Sequence, residues 1–182
     1  MATTFFTQGN DTHSSNVAGS HTLAFLAGND TLTVFQGTID ALMGEDDDIV
    51  SLRGGTSTVY GESGSDRFEI YVGATLHGGG DDDIFNIRGG SGLSADGGSG
   101  DDRFNFAAAA GSVLLHGGAG HDDFAGGNFA STGAVHGDGG NDLFTGFQSG
   151  VTLYGGSGDD VYRVNVGTNA TFVEAADDGK DT

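Results

Sequence analysis

A chain of 182 residues has room for one domain or one long repeat array. With 36 glycines and no proline it is neither a collagen nor a proline-rich linker, and without cysteine it forms no disulfide and no thiolate metal site. A formal charge of −20, from 26 acidic and 6 basic side chains, excludes the basic face that nucleic-acid binding needs. It also predicts a compact body that repels itself unless cations bind.

Helix formers are scarce while Gly, Asp, Asn, Ser and Thr abound, so the expectation is all-β. The opening Met1-Ala2-Thr3-Thr4-Phe5-Phe6 has no basic region, so an N-terminal secretory signal is not expected. No segment approaches the ~18 apolar residues of a membrane-spanning helix, so no transmembrane segment is expected.

From Asp11 onward a single unit repeats. Its anchor is the aspartate that closes a glycine-rich loop: Asp11, Asp30, Asp48, Asp66, Asp83, Asp102, Asp122, Asp142, Asp160 and Asp181, spaced 17 to 21 residues apart. Two residues beyond the anchor stands an apolar column: Leu32, Val50, Phe68, Phe85, Phe104, Phe124, Phe144 and Tyr162, with His13 in the first unit. Two residues further a second column follows: Val34, Leu52, Ile70, Ile87, Phe106 and Val164, interrupted by Gly126 and Gly146. That period of two marks a short strand with these side chains facing inward.

After the strand comes a plain turn, usually with glycine, as at Gly73, Gly92, Gly133 and Gly167. A second apolar strand then leads into the next loop, as in Ser112-Val113-Leu114-Leu115-His116. Only one turn per unit carries the aspartate. The predicted fold is therefore a parallel β-roll, a β-solenoid of about ten rungs of ~19 residues with two short strands per rung, stacked at about 4.8 Å per step. Residues 1–182 form a single array, which reads as an excerpt of a longer protein because solenoid ends need a cap or a partner.

The loops include Gly97-Gly98-Ser99-Gly100-Asp101-Asp102-Arg103-Phe104 and Gly155-Gly156-Ser157-Gly158-Asp159-Asp160-Val161-Tyr162. From about Gly9 to the C-terminus the chain resembles the haemolysin-type, or repeats-in-toxin, calcium-binding family, whose pattern is Gly-Gly-x-Gly-x-Asp-x-apolar-x. The resemblance implies a right-handed roll with Ca²⁺ held between loops of neighbouring turns by aspartate carboxylates and loop carbonyls. Carried onto this chain, the ligands are Asp66, Asp83, Asp102, Asp122, Asp142 and Asp160. With them stand the loop positions Gly61, Gly64, Gly78, Gly80, Gly97, Gly100, Gly117, Gly120, Gly137, Gly140, Gly155 and Gly158.

Asp48 and Asp30, in loops with fewer glycines, are weaker members, as are Asp11 and Asp181. Asp82, Asp101 and Asp159 are either auxiliary ligands or solvated charges. The physics of the residues agrees, since Ca²⁺ takes six to eight hard oxygen ligands whereas zinc favours His or Cys. Family members carry calcium loops on both edges of the roll. Here one edge does, so a single column of ions is expected.

No zinc-protease helix, nucleophile elbow or P-loop occurs, so an enzyme is not expected. His77, His116 and His136, with Tyr60, Tyr154 and Asp96, precede the loops and form an outward column, read as a solvated row or as a sugar or metal patch. A threonine row, Thr22, Thr58, Thr75 and Thr152, raises ice binding but is broken by Leu114 and Ala134. The expected role is structural: calcium drives folding after secretion to the extracellular space or cell surface, and the family resemblance adds type I export. The alternatives are an adhesin, surface-layer or polysaccharide-binding module that self-associates through uncapped ends, or the non-catalytic tail of a secreted enzyme.

Overall fold

The computed structural model describes residues 3–107, 111–127, 132–147, 150–163, 170–174 and 179–182. Val164 and Gly167 lie outside them. Among the described residues there are 17 strands and no helix, so none is long and apolar enough to cross a membrane.

Every strand pairing is parallel and joins a segment to its equivalent one unit on. One ladder holds the short strands that follow the anchors: Ile49–Leu52, Arg67–Ile70, Ile84–Ile87, Arg103–Phe106, Asp123–Ala125, Leu143–Thr145 and Val161–Arg163. The other holds the strands that enter the loops: Thr56–Ser63, Thr75–Gly80, Leu93–Ser99, Ser112–Ala119, Thr132–Gly139, Val151–Ser157 and Thr171–Val173. Near the start, Thr12–Ala24 and Thr31–Glu45 run through the turn and serve both ladders. Gly19 and Gly37, at the plain-turn position of the first two units, thus sit inside continuous strands.

The result is a β-solenoid of about eight turns with ~19-residue spacing. The count falls short of ten anchors because Asp11 and Asp181 lie at the two ends, half-buried and exposed, whereas the eight anchors between them are buried.

The two predicted apolar columns form the core. Phe68, Phe85, Phe104, Phe124, Phe144 and Tyr162 stack as one ladder, with ring centroids 4.7, 4.6, 4.8, 5.0 and 4.9 Å apart and planes within 11° of parallel. Each step adds about 0.5–1.5 kcal/mol beyond its area term. From the facing ladder Ala41, Val59, Leu76, Ala95, Leu115, Val135 and Leu153 point inward.

Where Gly126 and Gly146 interrupt the second column, Phe147 turns in to fill the space. It is buried, stands edge-on to Phe106 at 5.6 Å, and packs so close that a Cβ on Gly126 would meet its ring at 2.8 Å.

Candidate metal centre

The loop that follows each entering strand breaks the parallel ladder and strands one backbone donor, the anchor's own N–H. A buried N–H without a partner is costly. In every turn the anchor of the next turn supplies that partner. Asp66 N–H donates to Asp83 Oδ1 (2.7 Å), Asp83 to Asp102, Asp102 to Asp122, Asp122 to Asp142 (2.8 Å each), and Asp142 to Asp160 (2.8 Å). The same bond links Asp11 to Asp30, Asp30 to Asp48, Asp48 to Asp66 and Asp160 to Asp181. One oxygen of each carboxylate is therefore already committed to backbone, which periodicity alone did not reveal.

The other oxygen is not. Oδ2 of Asp30, Asp48, Asp66, Asp83, Asp102, Asp122, Asp142 and Asp160 is buried and has no hydrogen-bond partner. In six turns it is directed at the first glycine of its own loop. A Cβ on Gly61, Gly78, Gly97, Gly117, Gly137 or Gly155 would stand 1.9–2.1 Å from Oδ2 of Asp66, Asp83, Asp102, Asp122, Asp142 or Asp160 respectively. In five of them the carbonyl oxygen of the next turn's first glycine converges on the same point: Gly78 O, Gly97 O, Gly117 O and Gly155 O at 2.5 Å, and Gly137 O at 2.8 Å. The missing side chain leaves a cradle where a carboxylate and a carbonyl oxygen face one another with no donor between them.

Burial is the first cause that raises these carboxyls, and neighbouring carboxylates add to it against the N–H bond that lowers them. Asp48 and Asp66 are pushed to about 7, Asp83 and Asp122 to about 8, Asp102 and Asp142 to about 6, and Asp30 and Asp160 upward. A cation against Oδ2 would reverse that cost.

The earliest loops differ. Register places Phe25 and Met43, both buried, where later turns have Gly61 and its successors. Phe6 stacks on Phe25 at 4.1 Å and continues that apolar plug. Asp30 and Asp48 thus keep the ladder bond while lacking the glycine cradle. At the far end Glu174 takes the glycine's place. It hydrogen-bonds Tyr162, and one ligand atom from each of Asp160, Glu174 and Asp181 falls within 4.8 Å of the others.

The third glycine of the motif does a separate job. Gly64, Gly100, Gly120, Gly140 and Gly158 all have positive φ, and a Cβ there would strike the carbonyl of the preceding turn at 1.6–2.3 Å. In the Asp83 loop this position belongs to Asp81 (φ 70°), while Gly80 pairs with Ser99 in the ladder.

Asp82, Asp101 and Asp159 prove to be backbone acceptors. Asp82 Oδ1 takes the N–H of Asp101, Asp101 that of His121, and Asp159 that of Lys180. Asn10, Asp47, His121 and Asn141 serve the same exposed ladder. That position accepts Asn, Asp, Ser, His or Lys from turn to turn, because all it supplies is a lone pair or nothing. The anchor position, one residue on, is Asp all ten times. An asparagine would satisfy the N–H equally well and would leave no orphan oxygen. The repeat keeps a carboxyl group where the hydrogen bond alone would accept an amide.

The predicted threonine row shares one column with Asp40, Ser94, Leu114 and Ala134.

No family model, no curated protein and no solved structure matches this chain.

Proposed function

We propose that the chain is a structural calcium-binding β-roll whose folding is coupled to ion binding on one edge. The observation that carries this reading is the file of eight buried Asp Oδ2 atoms without partners, six of them beside a glycine whose absent side chain opens a cradle. The donor set consists of carboxylate and carbonyl oxygens alone, which suits a hard ion of high coordination number. Mg²⁺ fits less well because it demands a tight octahedron and keeps its waters.

The residues that would hold the ions are Asp66, Asp83, Asp102, Asp122, Asp142 and Asp160, with carbonyls of the glycine loops. Bound Ca²⁺ supplies positive charge where the ladder stacks one buried carboxylate on the next. Because each cradle needs two turns, no site exists in the unfolded chain, and binding energy becomes folding energy. Calcium is millimolar outside cells, so the coupling suits a protein that stays unfolded until secreted, in keeping with the resemblance to the haemolysin-type repeats.

Circular dichroism in chelator and in millimolar Ca²⁺ tests the reading, together with an elemental count of calcium per folded chain. The expected outcome is little ordered β-structure in chelator, full signal in calcium, and up to six ions, one per glycine cradle. Identical spectra in both buffers overturn it.

A further inference from the structure

The outward column contains a feature that the calcium edge does not explain. His116, His136 and Tyr154 lie in register on three successive strands. Their rings are stacked, His116 on His136 at 4.5 Å and 7°, and His136 on Tyr154 at 4.3 Å and 2°. Two residues beyond His136, Asp138 leans back one turn to His116, with Nδ1 and Oδ2 2.7 Å apart. One ligand atom from each of His116, His136 and Asp138 lies within 4.8 Å of the other two.

The backbone at Asp138 directs the side chain that joins the two imidazoles. Its neighbours in the ladder are Gly118 and Gly156, with φ of 112° and 108°, and Asp138 itself has φ 71°. A side chain in that left-handed position is tolerated at a cost, as it also is at Glu62, φ 81°, in the same ladder column. At Asp138 it brings a carboxylate to two imidazoles that belong to different turns. The parallel place two turns earlier holds only His77 and Asp96, 3.8 Å apart, with glycine at the left-handed position, Gly79 or Gly98.

We propose that His116, His136 and Asp138 bind a borderline divalent transition-metal ion, Zn²⁺, on the outer face of the roll. Two imidazoles and a carboxylate form a donor set that zinc accepts and that calcium, an oxygen-seeking ion, does not favour. Bonds of about 2.0–2.1 Å set ligand atoms roughly 3.4 Å apart around a tetrahedral ion. The lone pairs of two parallel rings lie in separate planes, so binding turns one imidazole out of the stack as the half-exposed ligand atoms draw in. The ion then ties one turn to the next, and its fourth position faces solvent, open to water or to a carboxylate or imidazole of another molecule.

The test is titration of Zn²⁺ into protein held folded in saturating Ca²⁺, followed by calorimetry and by competition with a chromogenic zinc chelator. The wild-type chain is expected to take up one high-affinity Zn²⁺. His136→Asn abolishes that site. Asp138→Gly, which installs the residue its ladder neighbours already have, weakens it by about 10–100-fold without loss of β-sheet dichroism. His77→Asn leaves it unchanged. A wild-type chain that binds no more zinc than H136N overturns the assignment. So does a D138G chain that binds as tightly as wild type, or a loss in H77N equal to that in H136N.

Discussion

Asp102 shows how much one side chain is asked to do. Its Oδ1 accepts the N–H of Asp83, and its Oδ2, buried beside Gly97, accepts nothing. Asp102→Asn separates these two duties. The amide oxygen keeps the ladder bond, and the amide NH₂ takes the place of the orphan oxygen, facing the Gly117 carbonyl. In chelator the substitution should raise stability by about 1–3 kcal/mol, the usual cost of a buried polar atom left unpaired. In calcium it should lower stability and remove one ion from the count. Thermal melts in calcium, and the β-sheet dichroism that remains in chelator, check the pair of signs for wild type and D102N. A variant stabilised equally in both would mean that the carboxylate has no cationic partner.

At the level of strands and loops, the sequence carried the architecture further than the site. The anchor spacing and the period-two columns placed the strands, the stacked phenylalanines and the single aspartate edge. The ladder bonds were hidden because they join atoms 17 to 21 residues apart and depend on which oxygen faces which turn. The loss of the cradle at Phe25 and Met43 was legible only as missing glycines, not as an apolar plug. Phe147 escaped because it sits one residue after the gap that it fills. The signal that could have found it was two successive glycines in an inward column, at Gly126 and Gly146, followed at once by an unassigned aromatic.

The geometry gives Phe147 the weight of a ladder member. Phe147→Ala should therefore cost about 3–5 kcal/mol, as much as truncating Phe124. Denaturant melts in calcium measure both, and a loss below 1 kcal/mol for Phe147 would show that the space can collapse without it.

Across the whole molecule, charge and proton linkage bring these parts together. Eight anchors stand in a buried file on a chain of formal charge −20, and without cations the folded state relieves that repulsion by holding protons. An aspartate whose folded carboxyl is raised above its ordinary value near 4 binds protons more tightly in the fold than in the open chain. Its contribution to stability is complete below that ordinary value and disappears as the pH climbs through the raised one. For this file the window runs from about pH 4 up through the values of about 6 to 8 given to Asp48, Asp66, Asp83, Asp102, Asp122 and Asp142.

In chelator, then, the ordered β-sheet signal should fall as the pH rises from 5 to 8. Calcium should reverse the slope, because protons and the ion compete for the same Oδ2. Salt near 0.5 M reduces repulsion between exposed carboxylates to a few ångströms' range, so what remains of the slope belongs to the buried file. β-Sheet dichroism in chelator and melts in calcium, each at pH 5 and 8, give four numbers. A chelated protein more stable at pH 8 than at pH 5 would falsify the picture of a proton-or-calcium ladder. A crossing of the two slopes would show that the fold responds to both cations through the same Oδ2 atoms.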